Sequence, residues 1–421
     1  MLTAVVGINW GDEGKGRMVD LLSESYEVIC RYQGGNNAGH TVVNEKGKFI
    51  LNLLPSGILR DGTINIMGPG MVVDIEHLWG EIEELQKKGV NVTPDNLKIS
   101  DQAFICMPYH KAQDILEEER LGDKKFGSTR RGIAPVYGDK YLKKGIRIGD
   151  LLDAESLAKN LSGIVEWKNL TFRGYGSEVN VSEILGWLRE YGNRIIPYIT
   201  DTTAFLRSAV GAGRNVLFEA QLGALRDIDY GIYPYTTSSQ TLASYAPIGA
   251  GIPGAKLDCV SGVIKAYSSC VGEGPFAVEM FGEEASALRE AGAEYGAATG
   301  RPRRVGAFDV VASKYGVQTQ GADELALTKL DVLSYLDKIP VCVAYEIDGE
   351  KTVNFPSGPR LSRARPVYEY LEGFKTGIST CRKAEDLPAA ALDYVRYIEK
   401  AVACPIRYVS VGAGRDEYLK L

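Results

Sequence analysis

Short apolar runs alternate with longer amphipathic stretches almost to the end of the chain. The runs at 4–8, 28–32, 63–67, 216–220, 263–266, 325–329, 340–346 and 407–411 are bounded by turn residues, so they predict strands. The stretches 74–88, 109–121, 181–210 and 387–402 predict helices, the third broken near Pro197, which has no N–H to give. In the first of them Ile75, Leu78, Trp79, Ile82 and Leu85 recur at three and four, a single apolar stripe. Hairpin turns are expected at 44–48 and 348–350. Strand–helix alternation predicts an α/β fold with a large, mostly parallel central sheet flanked by helices.

The chain shows no internal repeat, low-complexity tract or long polar linker, which predicts one α/β unit over 1–421. Its least regular stretches are about 123–144, 223–241 and 291–304, each combining Gly with Arg, Thr or Ser. Long loops of that kind inside a compact fold carry function.

Composition adjusts this picture only slightly. The chain has 421 residues, 45% hydrophobic and 24% charged, which is ordinary globular usage. A formal net charge of −6 argues against a nucleic-acid coat or a polybasic membrane anchor, while leaving room for a local basic pocket. No apolar run approaches the ~18–20 residues needed to span a bilayer, and no leader pattern precedes the first strand. The seven cysteines form no C-x-x-C and sit beside apolar residues, which reads as buried thiols in a reducing, cytoplasmic setting. The three histidines lie far from any cysteine pair, so no zinc site is expected.

The candidate chemistry begins where the first strand runs into Asn9-Trp-Gly-Asp-Glu-Gly-Lys-Gly16 and then a helix start. A strand, a glycine-rich turn and a helix N-terminus make an anion cradle, to which Lys15 would add a full positive charge. The pattern is P-loop-like but not a true Walker A: position 9 is Asn, and Gly16 follows Lys15 where Ser or Thr is required. Asp12 is the odd residue. A carboxylate beside phosphate repels it unless it holds a metal or takes a proton, so Asp12 is a candidate base, magnesium ligand, or both. A tight structural turn with a solvated Asp-Glu pair is the plainer alternative. A second glycine- and amide-rich loop, Gln33-Gly-Gly-Asn-Asn-Ala-Gly-His-Thr41, follows the second strand. Two such loops suit a ligand crevice at the carboxyl edge of a sheet. His40 is either a donor to developing charge or a satisfied structural histidine.

These residues resemble the adenylosuccinate synthetase family. The blocks at 10–16 and 34–41 are followed in order by matches at 54–58, 131–133, 233–235, 237–239, 271–276, 299–304, 327–332 and 410–415, covering essentially the whole chain. The resemblance implies GTP-dependent ligation of L-aspartate to IMP through 6-phosphoryl-IMP, giving adenylosuccinate, GDP and phosphate. It also implies an Mg²⁺-dependent homodimer. Asp12 would take the N1 proton of IMP as O6 attacks and would sit on Mg²⁺, with the Gly39 carbonyl as second protein ligand. His40 and Lys15 would serve the phosphoryl transfer. GTP would be held by Gly11, Asp12, Glu13, Gly14, Lys15, Gly39, His40 and Thr41, with Lys329, Asp331, Ser410 and Gly412 at the guanine and Arg415 nearby. A carboxylate such as Asp331 can accept from both N1–H and the exocyclic amine of guanine, a donor pair that adenine lacks. IMP contacts would come from Asn37, Thr129, Lys143, Gln221, Leu222, Thr237 and Arg301. Thr299, Arg301 and Arg303 would read aspartate, whose two carboxylates match guanidinium forks.

The chain departs from the family pattern in places. Lys143 stands where an arginine normally reaches the partner subunit's IMP phosphate. Glu219-Ala-Gln-Leu-Gly223 replaces Glu-Gly-Ala-Gln-Gly, which moves the glutamine to Gln221 and puts Leu222 in its slot. Pro69 and Ala298 are smaller changes. Two other readings stand beside the leading one: a paralogous GTP-dependent ligase for another purine monophosphate or amino acid, and a GTP-binding regulatory module.

Overall fold

The computed structural model describes residues 1–44, 47–296, 300 and 302–421. Its centre is a ten-stranded sheet. In chain order the strands are β1 (Leu2–Gly7), β2 (Val28–Arg31), β3 (Ile64–Met67), β4 (Leu97–Ser100), β5 (Ile199–Thr200), β6 (Val216–Glu219), β7 (Cys259–Lys265), β8 (Glu324–Thr328), β9 (Ile406–Ser410) and β10 (Tyr418–Lys420). Across the sheet they run β10-β9-β8-β7-β1-β6-β2-β3-β4-β5. Every pairing is parallel except β9 with β10.

Continuous apolar strands follow from burial on both faces. Along β1, Ala4 and Val6 pack on one side with Val28, Cys30 and Phe218. Val5 packs on the other with Ile29, Leu217, Met18 and Val19, the last two carried by helix α1 (Lys15–Leu22). From β1 the chain winds outward through β2 to β5. It then returns to insert β6 between β1 and β2, and continues outward on the other side from β7. The carboxyl ends of β1, β2, β6 and β7 therefore meet where the winding reverses, the place where open α/β sheets bind ligands.

The expected helices are present with shifted ends. Asp74 caps α2 (Ile75–Lys87) by accepting from the His77 N–H at 3.2 Å. The helix expected over 181–210 is two: α5 (Val181–Ile195) and α6 (Thr202–Gly211), the second capped by Asp201, with the short edge strand β5 between them. The strand expected at 340–346 exists as Lys338–Ile347, but it belongs to a separate four-stranded sheet with Phe308–Asp309, Glu350–Thr352 and Arg365–Glu372. The hairpin at 348–350 joins two of its strands. Strands His40–Asn44 and Gly47–Leu51 pair around the other expected turn, whose residues 45 and 46 lie outside the described residues.

The loop expected over 123–144 ends at Gly132. Residues Ile133–Leu142 form helix α4, because Ile133, Val136 and Tyr137 make an apolar stripe that buries against Val72, Phe104 and Cys106. Helix α3 (Pro108–Leu121) staples what remains of that loop. Asp114 accepts from the Gly132 N–H at 2.9 Å and the Ser128 hydroxyl at 2.7 Å, and Glu118 from the Phe126 and Gly127 N–H groups at 3.1 and 3.2 Å. Among the described residues no helix is long and apolar enough to cross a membrane.

Candidate active site

The loop after β1 is shaped from within by Glu13. Its Oε1 accepts from the N–H groups of Asn9 at 3.1 Å and Gly11 at 2.8 Å, and its Oε2 holds the Lys15 ammonium at 2.6 Å. Glu13 and Lys15 are both buried. Glu13 is thus the staple of the turn, and Lys15 reaches the cradle with a counter-charge attached. The Thr328 hydroxyl, at the end of β8, donates to the Glu13 carbonyl at 2.7 Å and ties the loop to a strand two places away. Gly14, at φ 100°, turns the chain into α1, a conformation that side chains resist.

Asp12 is left on the lip, at φ 57° and with its side chain 27% exposed. Its carboxylate meets Nη2 of Arg303 at 3.0 Å, while Nη1 of the same guanidinium meets Glu294 at 2.8 Å. Burial pulls Arg303 toward losing its proton, but Asp12 and Glu294 outweigh it and the guanidinium holds its proton more tightly than usual. Thr299 and Arg301, the other expected aspartate readers, lie outside the described residues.

His40 is carried against α1: a Cβ on Gly16 would come within 2.5 Å of the His40 Cβ, so only glycine lets the two loops close. The imidazole is buried. Nδ1 makes a short contact with Glu219, at the end of β6, and Nε2 is buried with no hydrogen-bond partner among the described residues. Glu219 also accepts from the Ser56 N–H and hydroxyl, both at 2.7 Å. Burial pushes its carboxyl upward, yet His40, Arg31 and Ser56 prevail and the net shift is down, so it is ionised and can only accept. Nδ1 is therefore the donor. Burial lowers the pKa of His40 against the opposing pull of Glu219.

Behind these groups, the loops after β2 and β6 interlock. Gln221 is fully buried; its amide donates to the Gly35 carbonyl at 2.8 Å, and its oxygen lies where a Cβ on Gly34 would fall, 1.9 Å away. Leu222, at φ 61°, is half-buried and packs over Gly11, whose Cβ would meet its Cδ2 at 3.2 Å. The one-residue slip thus turns the glutamine inward and brings the leucine to the surface of the β1 loop. Asn37 is half-buried and accepts from the Gly35 N–H at 3.3 Å. Half-buried Thr237 donates its N–H to the Arg226 carbonyl at 2.9 Å. Thr129 and Thr41 are exposed, and Gly39 is half-buried. Lys143 stands exposed at the C-cap of α4, at φ 60°.

The residues expected to read the base cluster after β8 and β9. Lys329, at φ 59°, bonds the Gly292 carbonyl and lies 3.3 Å from Glu294. Asp331 Oδ1 is buried and has no hydrogen-bond partner among the described residues; burial raises the pKa of the carboxyl. Ser410 donates to the Gly412 carbonyl at 3.0 Å and accepts from Arg17 at 2.9 Å. Arg415 is clasped by Asp20, with both contacts at 2.7 Å.

Several residues that shape the site were not singled out in the sequence. Arg17 binds the carbonyls of Gly412 and Gly414 and stacks over Tyr418 at 4.2 Å. Arg226 donates to the Val271 carbonyl at 2.5 Å and to the Tyr235 carbonyl. Glu294 and Ser56 are the others. The signal was weak: each is one polar residue near a strand end or glycine turn, and its partners are distant in sequence.

A parallel sheet with glycine-rich loops, a lip carboxylate and an orphaned buried acceptor gathered at its carboxyl edge defines a nucleotide-handling α/β enzyme. The model of the adenylosuccinate synthetase family matches residues 4–419. A curated adenylosuccinate synthetase from Caldanaerobacter subterraneus is 46% identical, with 100% of this chain and 99% of the relative covered. One from Nostoc punctiforme is 45% identical over 98% of this chain and 93% of its own length. The structure of the fully ligated Plasmodium falciparum enzyme superposes with a TM-score of 0.92 at 36% identity, covering 100% of this chain and 99% of that one. A cyanophage S-2L succinoaminodeoxyadenylate synthetase, bound to dGMP and dATP, shares the fold at TM-score 0.62 and 19% identity, covering 100% of this chain and 95% of that one. The chain belongs to the adenylosuccinate synthetase family.

Proposed function

We propose that Asp12, His40 and Lys15 carry the reaction of this family, the GTP-dependent joining of L-aspartate to IMP that yields adenylosuccinate, GDP and phosphate. Asp12 takes the N1 proton of IMP. The electron pair released onto O6 makes that oxygen the nucleophile, which displaces GDP from the γ-phosphorus. The amine of aspartate then displaces phosphate from C6. His40, once its ring carries a second proton, donates from Nε2 to the charge that develops on the phosphoryl group and on O6, and Lys15 balances phosphate charge. The observation that carries this reading is the pairing of Asp12 with Arg303 on the lip of the β1 loop. The proposed base and the proposed reader of the substrate carboxylate already touch.

Around this centre, Gly11, Glu13, Gly14 and Thr41 belong to the phosphate cradle. Lys329, Asp331, Ser410 and Gly412 enclose guanine, with the unpartnered Asp331 Oδ1 as its acceptor. Thr299, Arg301 and Arg303 read aspartate. Asn37, Thr129, Leu222 and Thr237 contact IMP, with Gln221 supporting the loop beneath. Lys143, exposed at the end of α4, reaches the IMP phosphate of a partner in a homodimer.

Magnesium fits the donors available. No group of three or more His, Cys, Asp or Glu suited to a metal occurs among the described residues. An ion on Asp12 and the Gly39 carbonyl would therefore keep most positions for phosphate oxygens, as Mg²⁺ prefers. When bound, it would neutralise charge on the triphosphate. The setting is cytoplasmic, where IMP and GTP occur.

The test is Asp12→Asn: release of GDP in the presence of IMP and aspartate should vanish while the melting temperature holds. Near-normal turnover would remove Asp12 as the base. Because Leu222 occupies the glutamine's slot, a panel of IMP, GMP, dGMP and XMP should accompany it, and turnover with another nucleotide but not IMP would identify a paralogous ligase.

A further inference from the structure

Glu294 serves neither phosphate nor base in the scheme above, yet it is completely buried and collects charges from two different loops. Its Oε1 accepts from the Lys265 ammonium at 2.8 Å, the Tyr267 hydroxyl at 2.5 Å and the Lys329 ammonium at 3.3 Å. Its Oε2 accepts from Arg303 at 2.8 Å. Its backbone carbonyl also accepts from the Arg303 N–H at 2.9 Å, and Tyr295 bridges Pro302. Glu294 is therefore tied to Arg303 through main chain and side chain together. Lys329, across the carboxylate, leads directly into the turn that carries Asp331.

We propose that Glu294 is a positioning residue that holds Arg303 and Lys329 in one frame, so that the side chains assigned to aspartate and to guanine are positioned together. This rests on the assignment of Lys329 to GTP and Arg303 to aspartate. The guanidinium is planar and rigid, so fixing Nη1 on Glu294 dictates where Nη2 points, which is at Asp12. A carboxylate of aspartate arriving at Nη2 would meet an already oriented donor. Displacing Lys329 would shift the Oε1 side of the same carboxylate and hence tilt the Oε2 side on which Arg303 rests. A purely structural ion cluster would need only Lys265, whose buried ammonium requires a counter-charge. It would not need a carboxylate whose two oxygens are divided between the two substrate loops.

The experiment is steady-state kinetics with each substrate varied in turn. Glu294→Gln should raise KM for GTP and for aspartate together, by tenfold or more, and leave KM for IMP within threefold. Equal loss for all three substrates, or no change, overturns the proposal. Should this variant not fold, Lys329→Ala and Arg303→Lys decide in its place. If each raises KM for both GTP and aspartate by threefold or more, the coupling stands. If each affects only its own substrate, the assignments survive and the role of Glu294 falls. If neither affects GTP or aspartate, the assignments themselves fail and the proposal with them.

Discussion

Glu219→Gln probes how His40 is kept ready to act. In the native chain the ionised carboxylate takes the Nδ1 proton of His40, the Ser56 hydroxyl and the Ser56 N–H, all inside the protein. With Nδ1 committed as donor, Nε2 can donate to a phosphoryl oxygen only when the ring carries its second proton, and Glu219 is the group that favours that cation against the burial that disfavours it. The amide is isosteric but neutral, and one of its two ends must be NH₂. If its oxygen stays on His40, the NH₂ faces the Ser56 N–H, a buried donor against a donor, costing about 1–3 kcal/mol. The imidazolium loses the carboxylate that pairs with it at the same time. A single preorganised donor to developing charge contributes about 2.7–4 kcal/mol, so kcat should fall by about 10²–10³. Rapid-quench measurement of γ-phosphate transfer from GTP, with IMP saturating, reads this step directly, and a thermal melt reads the fold. A variant within about threefold of native kcat, with an unchanged melting temperature, would refute a charged His40 donor.

Asp331→Asn replaces one of two acceptor oxygens with a donor, so GTP should lose at least tenfold in kcat/KM while an adenine or hypoxanthine triphosphate loses little; unchanged base selectivity would remove Asp331 from the guanine pocket. Stability should fall as pH drops below neutrality. Burial, opposed by Asp139, lowers the pKa of His110 from 6.5 to about 4, so between those values the unfolded chain binds a proton that the folded chain refuses. The loss is about 1.4 kcal/mol per pH unit at most, and ~3 kcal/mol across the window. In His110→Gln the difference in melting temperature between pH 7 and pH 5 should shrink, and an undiminished difference would count against this origin.

The apolar runs by themselves marked seven strands of the central sheet, β1, β2, β3, β6, β7, β8 and β9, while β4 and β10 lay outside them. A parallel strand covered on both faces reads as a near-continuous apolar run, so β1, β2, β6 and β8 announce themselves without knowledge of their neighbours. The glycine turns and Asp12 were legible for a related reason: a cradle for phosphate is built locally, from backbone amides and one helix start. Helix α4 was not legible, because Gly132, Pro135 and Gly138 read as breakers until Ile133, Val136 and Tyr137 find Phe104 and Cys106 to bury against. Nor was the strand β5, whose two residues gain their identity only from pairing with β4.

What tertiary structure alone decided is the company each charge keeps. Glu219 lies 179 residues from the histidine it orients, and Glu294 faces Lys265 and Lys329, 29 residues before it and 35 after, one at the end of β7 and the other just past the end of its neighbour β8. A buried carboxylate acts according to which cations the fold brings within about 3 Å, because in a low-dielectric interior the nearest charge dominates. Sequence spacing carries no record of that distance; the winding order of the sheet sets it.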